Sequence, residues 1–144
     1  MNILTLKLCS VSVVVGVDAE LEEWRIDVNE TEDRIVSQWT GREVSADEKR
    51  EMHDEVDEIL RRRGLQTRLL VVERANSLAL YFICMTLSVL MSLRDQWCSH
   101  QLRGAVEEIF TFLSHATRTV HVKRLTWPLA DYQRCWNFFS SVQG

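Results

Sequence analysis

The sequence contains few residues that interrupt regular structure, with one proline and five glycines in 144 residues. Disordered and low-complexity chains are rich in proline, glycine and polar tracts, and no such tract or internal repeat occurs here. The residues are 46% hydrophobic and 26% charged, which is typical of a globular domain. A chain of this length buries roughly two-thirds of its unfolded surface. We therefore expect one domain over residues 1–144, with an N-terminal segment 1–44 and a core 45–140.

Motifs for catalysis, phosphate binding and metal binding are also missing from the sequence. The four cysteines, Cys9, Cys84, Cys98 and Cys135, form no Cys-x-x-Cys pair and lie in apolar stretches. This pattern is typical of small core residues in a reducing compartment. Cys98 and His100 are the remaining candidates for a catalytic or metal-ligating pair. We expect no enzyme activity, no cofactor and no metal.

A net positive charge is absent, since 17 basic and 21 acidic side chains give a net charge of −4 at pH 7. Nucleic-acid binding depends on clusters of Lys and Arg, so this balance argues against a nucleic-acid partner. Residues 18–58 hold 16 acidic and 5 basic side chains, whereas residues 59–144 hold 5 acidic and 11 basic ones. Such asymmetry can steer a protein partner, hold one segment against another, or mark two solvated faces.

Long apolar runs are absent too, so the sequence predicts no membrane span. The longest apolar stretch, near the N-terminus, has two interpretations. A signal peptide over residues 1–19 would make this a small secreted protein, and the sequon at Asn29 would then be a glycosylation site. Alternatively, the valine alternation in 11–15 is typical of a strand in an intact, cytoplasmic chain. We favour the strand, because Lys7 follows apolar residues and cleavage would leave an odd number of cysteines.

Two helices are predicted before residue 65. Residues 20–40 have a loose helical spacing of apolar side chains, and Gly41 ends that helix. Ser45 and Glu48 form a capping box, so a second helix begins there. Its first turns are acidic, its last turn is basic, and Gly64 provides a left-handed stop. The predicted apolar face of this helix is Met52, Val56, Ile59 and Leu60.

Three strands are predicted in addition to the N-terminal one. Residues 69–72 and 78–84 are rich in β-forming side chains and flank the polar turn 73–77, which predicts a hairpin. Residues 119–125 alternate between apolar and polar side chains, which is typical of a half-buried strand. The predicted inward residues of that strand are Val120 and Val122, and the outward ones are His121 and Lys123.

Three further helices are predicted after the hairpin. Thr86 caps the first, a break near His100 precedes the second, and Pro128 opens the last. Gly104 in the second predicts a close approach by another backbone. The predicted apolar faces are Leu87, Leu90, Met91 and Trp97; then Leu102, Ala105, Val106, Ile109, Phe110 and Leu113; and finally Leu129, Tyr132, Cys135, Trp136 and Phe139.

The order of elements predicts an α+β fold. We expect a two-layer sandwich with a mostly antiparallel sheet of about four strands and helices packed on one face. The uncovered face and the edges of such a sheet are places where partner chains dock. Trp39 and Trp127 lie beside chain breaks and are candidates for exposed aromatic anchors. The residues predicted to bind a partner are Tyr81, Ile83, His121, Lys123 and Trp127.

Residues 66–140 resemble a known family in element order and apolar pattern. The resemblance runs through the hairpin turn 73–77, the sequence Cys-Met-Thr at 84–86, the small-residue hinge 101–105 and the strand 120–125. These features are similar to the N-terminal domains of the tumour-necrosis-factor-receptor-associated death-domain adaptors. The resemblance implies a cytoplasmic α/β sandwich without catalysis, acting in innate-immune or cell-death signalling. It also implies TRAF-type or death-fold adaptors as partners, although the acidic first 60 residues depart from the family's pattern.

Overall fold

The computed structural model describes residues 4–15, 21–41, 44–74, 78–115 and 120–143. Within these ranges helices and strands are mixed, which confirms the α+β class, and their order is the predicted one. The predicted turn residues 75–77 and the side chains of Asn29 and Lys123 lie outside the described residues. The elements are β1 (Leu4–Val15), α1 (Leu21–Thr40), α2 (Ala46–Arg62), β2 (Leu69–Arg74), β3 (Leu78–Cys84), α3 (Leu87–Cys98), α4 (Gln101–Ser114), β4 (Val120–Thr126) and α5 (Leu129–Gln143).

The strands pair antiparallel in the order β2-β3-β1-β4. The hairpin places Val72 opposite Leu80, as its two β-rich runs predicted. β1 lies between the hairpin and β4, which confirms the strand predicted from the valine alternation. β2 and β4 are therefore the two edges of the pairing order.

The local signals around α2 act as the sequence predicts. The Ser45 hydroxyl accepts a hydrogen bond from the Glu48 amide at 3.2 Å and caps the first turn. Gly64 ends the helix region with a φ of +79°, a conformation that costs a side-chain-bearing residue roughly 1–2 kcal/mol. Met52 is half-buried, and the other predicted apolar residues of α2 are buried: Val56, Ile59 and Leu60.

Helix α4 lies at the centre of the core. It contacts α1, α2, α3 and β4. Burying one large apolar side chain contributes roughly 1.5–3 kcal/mol, so this one face accounts for a large part of the stability. All six predicted apolar residues of α4 are buried: Leu102, Ala105, Val106, Ile109, Phe110 and Leu113.

The predicted apolar faces of α3 and α5 are partly wrong. The buried residues of α3 are Leu90 and Leu93, which turns Met91 outward to 48% exposure. Helix α5 buries Cys135 and Phe139, whereas Leu129 is 67% and Trp136 is 36% exposed. Helical periodicity identifies a stripe of apolar residues, but the packing of neighbouring elements decides how much of its width is covered.

The prediction for Gly104 is also wrong. A Cβ atom at this position would lie 2.8 Å from Nη1 of Arg63, the end of a flexible side chain. The group that crosses α4 here is therefore a guanidinium rather than a backbone. Arg63 also pairs with Glu108 at 2.9 Å, which holds the end of α2 against α4.

The division of charge along the chain partly serves to hold its segments together. Arg74 on β2 pairs with Glu32 on α1 at 3.3 Å, and Glu32 is 3% exposed. A carboxylate buried to this extent requires a charged or hydrogen-bonding partner, so this contact is structurally important. Arg68 and Asp57 form a second such pair at 3.2 Å, but it is exposed and contributes at most about 1 kcal/mol.

Candidate interaction surfaces

The outer face of β2 and β3 carries a partly exposed apolar strip. Side chains alternate along a strand, and the buried residues of β3 alternate with Tyr81 and Ile83, which are half-buried. Val71 on β2 lies opposite Tyr81 and is 41% exposed. The Tyr81 hydroxyl donates to Glu73 Oε1 at 2.7 Å, so its ring is held along the strip. Tyr81 and Ile83 thus lie on the less buried side of β3.

His121 on β4 is exposed, as predicted, while its neighbours Val120 and Val122 are buried. Its Nδ1 atom lies 3.4 Å from Oε2 of Glu107 on α4, so a protonated His121 would form an ion pair there. The pairing of β1 with both β3 and β4 places His121 on the same sheet as Tyr81. The register nevertheless separates them, because Tyr81 lies opposite Lys7 and His121 lies opposite Val14, which are about 20 Å apart along β1. The side chain of Lys123 lies outside the described residues.

The edge of β4 is occupied by side chains of α4. The Val120 amide donates to Thr111 Oγ1 at 2.8 Å, and the Val122 amide donates to Glu107 Oε2 at 2.9 Å. Glu107 and Thr111 are four residues apart, which is a rise of about 6 Å along a helix. Val120 and Val122 are two residues apart, which is about 6.6 Å along a strand, so the spacing of the acceptors matches that of the amides. Unpaired edge amides are what an incoming strand would bind. The predicted docking of a partner at this edge is therefore blocked by the chain itself.

The edge of β2 is protected in a different way. The pairing register shifts at Leu70, whose carbonyl accepts a hydrogen bond from Trp39 Nε1 at 3.3 Å. Arg74 adds a charge at the end of the strand. A bulge, a covering side chain and a charge are common protections against edge-to-edge pairing. The face of the sheet thus remains as the more accessible surface.

The two tryptophans expected at the surface are both buried. Trp39 is 5% exposed and stacks on His53 at 3.8 Å between ring centroids. Trp127 is 8% exposed and packs edge-on against Trp97 and Tyr132. Trp127 is therefore unavailable as a partner anchor, contrary to the expectation, because the chain turns it between α3 and α5.

Among the tryptophans whose burial is described, the most exposed is Trp136 on α5, which the helical pattern predicts to lie on the core face. It lines a shallow cavity with Arg94, whose guanidinium lies 5.4 Å from the Tyr132 ring centre. The polar residues Gln133 and Asn137 line the same cavity. These polar neighbours at helical spacing are the sequence signal that could have placed Trp136 at the margin of the buried stripe.

Cys98 and His100 both line a cavity of about 250 Å³ that also includes Trp97, Arg103 and Leu125. Cys98 is exposed, whereas Cys84 and Cys135 are buried. Burial raises the pKa of Cys84 to about 12 and also raises the pKa of Cys135, so these two thiols are weak nucleophiles. Among the described residues, no group of three His, Cys, Asp or Glu could hold a metal ion.

No family model, curated protein or solved structure matches this chain. None of the helices in the described ranges is long and apolar enough to cross a bilayer.

Removing the α4 acceptors should open the β4 edge. The double substitution Glu107→Ala and Thr111→Val leaves the Val120 and Val122 amides without these partners, so we expect the free energy of unfolding to fall by about 1–3 kcal/mol. Amide hydrogen exchange followed by NMR should accelerate at Val120 and Val122. The matched control Glu108→Ala removes the contact with Arg63 and should leave these two amides protected. Unchanged exchange in the double variant would contradict the edge assignment.

The exposure of the thiols predicts their alkylation rates. With iodoacetamide at neutral pH, we expect Cys98 to react within about threefold of the rate of free N-acetylcysteine, because exposure alone makes it accessible. Cys84 and Cys135 should react only after unfolding. Mass spectrometry of digested samples measures all three rates. A rate for Cys98 more than about tenfold above that of the free thiol would favour the catalytic alternative with His100.

Proposed function

We propose that this chain is a non-enzymatic protein-protein interaction domain that binds a partner through the outer face of its sheet. The observation that carries the proposal is the partly exposed apolar strip of Val71, Tyr81 and Ile83 beside two protected edges. A typical docking surface is an uncovered apolar patch on a sheet whose edges are protected from pairing with another strand. His121 would add a polar contact at the far side of this platform.

The distribution of buried residues supports a two-layer arrangement. We infer that the helices cover the side of the sheet that carries Leu80, Phe82, Val120 and Val122, all of which are buried. Helices α1, α3, α4 and α5 each contact at least one strand. The opposite side would then be the uncovered layer, as in the sandwich that the sequence predicts.

Such a sandwich is consistent with a domain similar to the N-terminal domains of the tumour-necrosis-factor-receptor-associated death-domain adaptors. On this proposal the partner is a TRAF-type or death-fold adaptor, and the process is innate-immune or cell-death signalling. The support is the element order and the uncovered sheet face.

We propose a cytoplasmic location over the secreted alternative. β1 pairs with both β3 and β4, so removal of residues 1–19 as a signal peptide would delete the strand that joins them. It would also leave unpaired backbone groups along two strands, each of which costs free energy when buried. The free thiols of Cys84, Cys98 and Cys135 suit a reducing compartment.

The N-terminus of the chain expressed in cultured eukaryotic cells distinguishes these locations. We expect peptide mass spectrometry to recover residues 1–19 attached to the rest of the chain and Asn29 without a glycan. A mature chain that begins near Glu20 and carries a glycan at Asn29 would contradict the cytoplasmic proposal.

Partner capture from cytosol tests the sheet face. We expect immobilised wild-type chain to enrich a partner that the Tyr81→Ala/His121→Ala variant enriches at least about fivefold less, because aromatic residues often carry much of the binding energy. The matched control Met91→Ala/Trp136→Ser removes exposed side chains from α3 and α5 and should retain the partner. Equal loss with both variants, or no enriched partner, would overturn the assignment of the binding face.

A further inference from the structure

A cleft lies among the helices, between α2 and the C-terminal end of α4, and it has a volume of about 430 Å³. Its floor includes Met52 and Phe112, both of which are half-buried. Its α2 rim carries three glutamates. An apolar floor beside a charged rim is typical of a surface that binds an amphipathic chain rather than a small ion. The rim residues are Glu48, Glu51 and Glu55.

The three glutamates point to one side of α2 because their spacings of three and four residues match the helical repeat. Within the described part of the chain, Glu48 and Glu51 form no ion pair, whereas Glu55 is paired with Arg62 at 3.4 Å. Acids nearer the end of α2 are also neutralised, since Asp57 pairs with Arg68 and Glu58 with Arg61. Among the described residues, the negative charge at the α2 N-terminal end of the cleft therefore has no ion-pair partner.

Two further features bear on the charge of the cleft. Helix α4 ends beside it at Ser114, and the carbonyl end of a helix carries a partial negative charge. Lys49 does not line the cleft, because its side chain lies against Gly41 at the end of α1. His115 lines the cleft and is the lining residue that can become positive. The carboxylates of Glu48 and Glu51 and the helix C-terminus thus favour a cationic occupant.

We propose that this cleft is a second docking site, and that it binds a basic amphipathic segment of a protein partner. The arginine or lysine residues of the segment would face Glu48 and Glu51, while its apolar side chains would cover Met52 and Phe112. An acidic segment would be repelled by the glutamates of the rim. A free metal ion or a polyamine would leave the apolar floor exposed to water. This cleft would be a second binding surface in addition to the sheet face. The inference rests on the proposed function in one respect, since it takes the occupant to be a protein.

The test uses the full chain and a fluorescein-labelled 18-residue helical peptide in which leucine and arginine alternate at helical spacing. We expect fluorescence anisotropy to show saturable binding that weakens as salt is added, because exposed ion pairs are screened. The Glu48→Gln/Glu51→Gln variant should bind about tenfold more weakly. The matched control Glu30→Gln/Asp54→Asn removes two exposed acids outside the cleft and should bind like the wild type. Circular dichroism melting confirms that each variant is folded.

Four outcomes would overturn the inference. The first is an absence of peptide binding, and the second is an equal loss of peptide affinity in Glu48→Gln/Glu51→Gln and in Glu30→Gln/Asp54→Asn. The third is equally tight binding of a peptide with glutamate in place of arginine. The fourth is a dimer that dissociates on Glu48→Gln/Glu51→Gln substitution in analytical ultracentrifugation, which would make the occupant a second copy. The sheet-face variants at Tyr81 and His121 should leave peptide binding unchanged, so failure here and failure of the proposed function are distinguishable.

Discussion

The packing of α4 against the edge of β4 is the interaction on which the rest of the structure depends. One side of the helix fills the core, with Phe110 and Ile109 almost fully buried. Thr111 and Glu107, on another side, accept hydrogen bonds from the amides of Val120 and Val122. A single helix therefore supplies both the apolar burial that drives folding and the polar contacts that close the sheet.

Closing the edge of β4 has a consequence for recognition. With Trp39 bonded to the Leu70 carbonyl at the other edge, strand addition is disfavoured at both ends of the strand order. In the proposed function, recognition would then depend on side chains rather than on backbone pairing. Side-chain surfaces discriminate by shape and charge, and the outer sheet face and the acidic cleft differ in both respects. The proposed module would thus hold two chemically different partners, one on an apolar strip and one on a charged rim.

Prediction from sequence succeeded where a local signal coincided with burial. Ser45 and Gly64 mark the ends of α2 by capping and by positive φ, which depend on a few neighbouring residues. The six buried residues of α4 follow from an uninterrupted helical period. Prediction failed at Met91 and Trp136, because each lies at the margin of an apolar stripe. It also failed at Trp127, because the connection before α5 places this side chain against Trp97 and Tyr132. Which margin is covered depends on the angle and distance of the neighbouring helix, and the period does not contain that information.

The amino-acid sequence by itself determined the number, type and order of the elements, since hydrophobic period, caps and glycine stops act over a few residues. It also determined which side of β3 and β4 is buried, because alternation assigns each residue to one of two faces. Only the tertiary structure decided that β1 lies between β3 and β4, that α4 closes an edge, and that Glu48 and Glu51 border a cleft. These arrangements join residues far apart in the chain, and the energies that select them arise only when the core has packed.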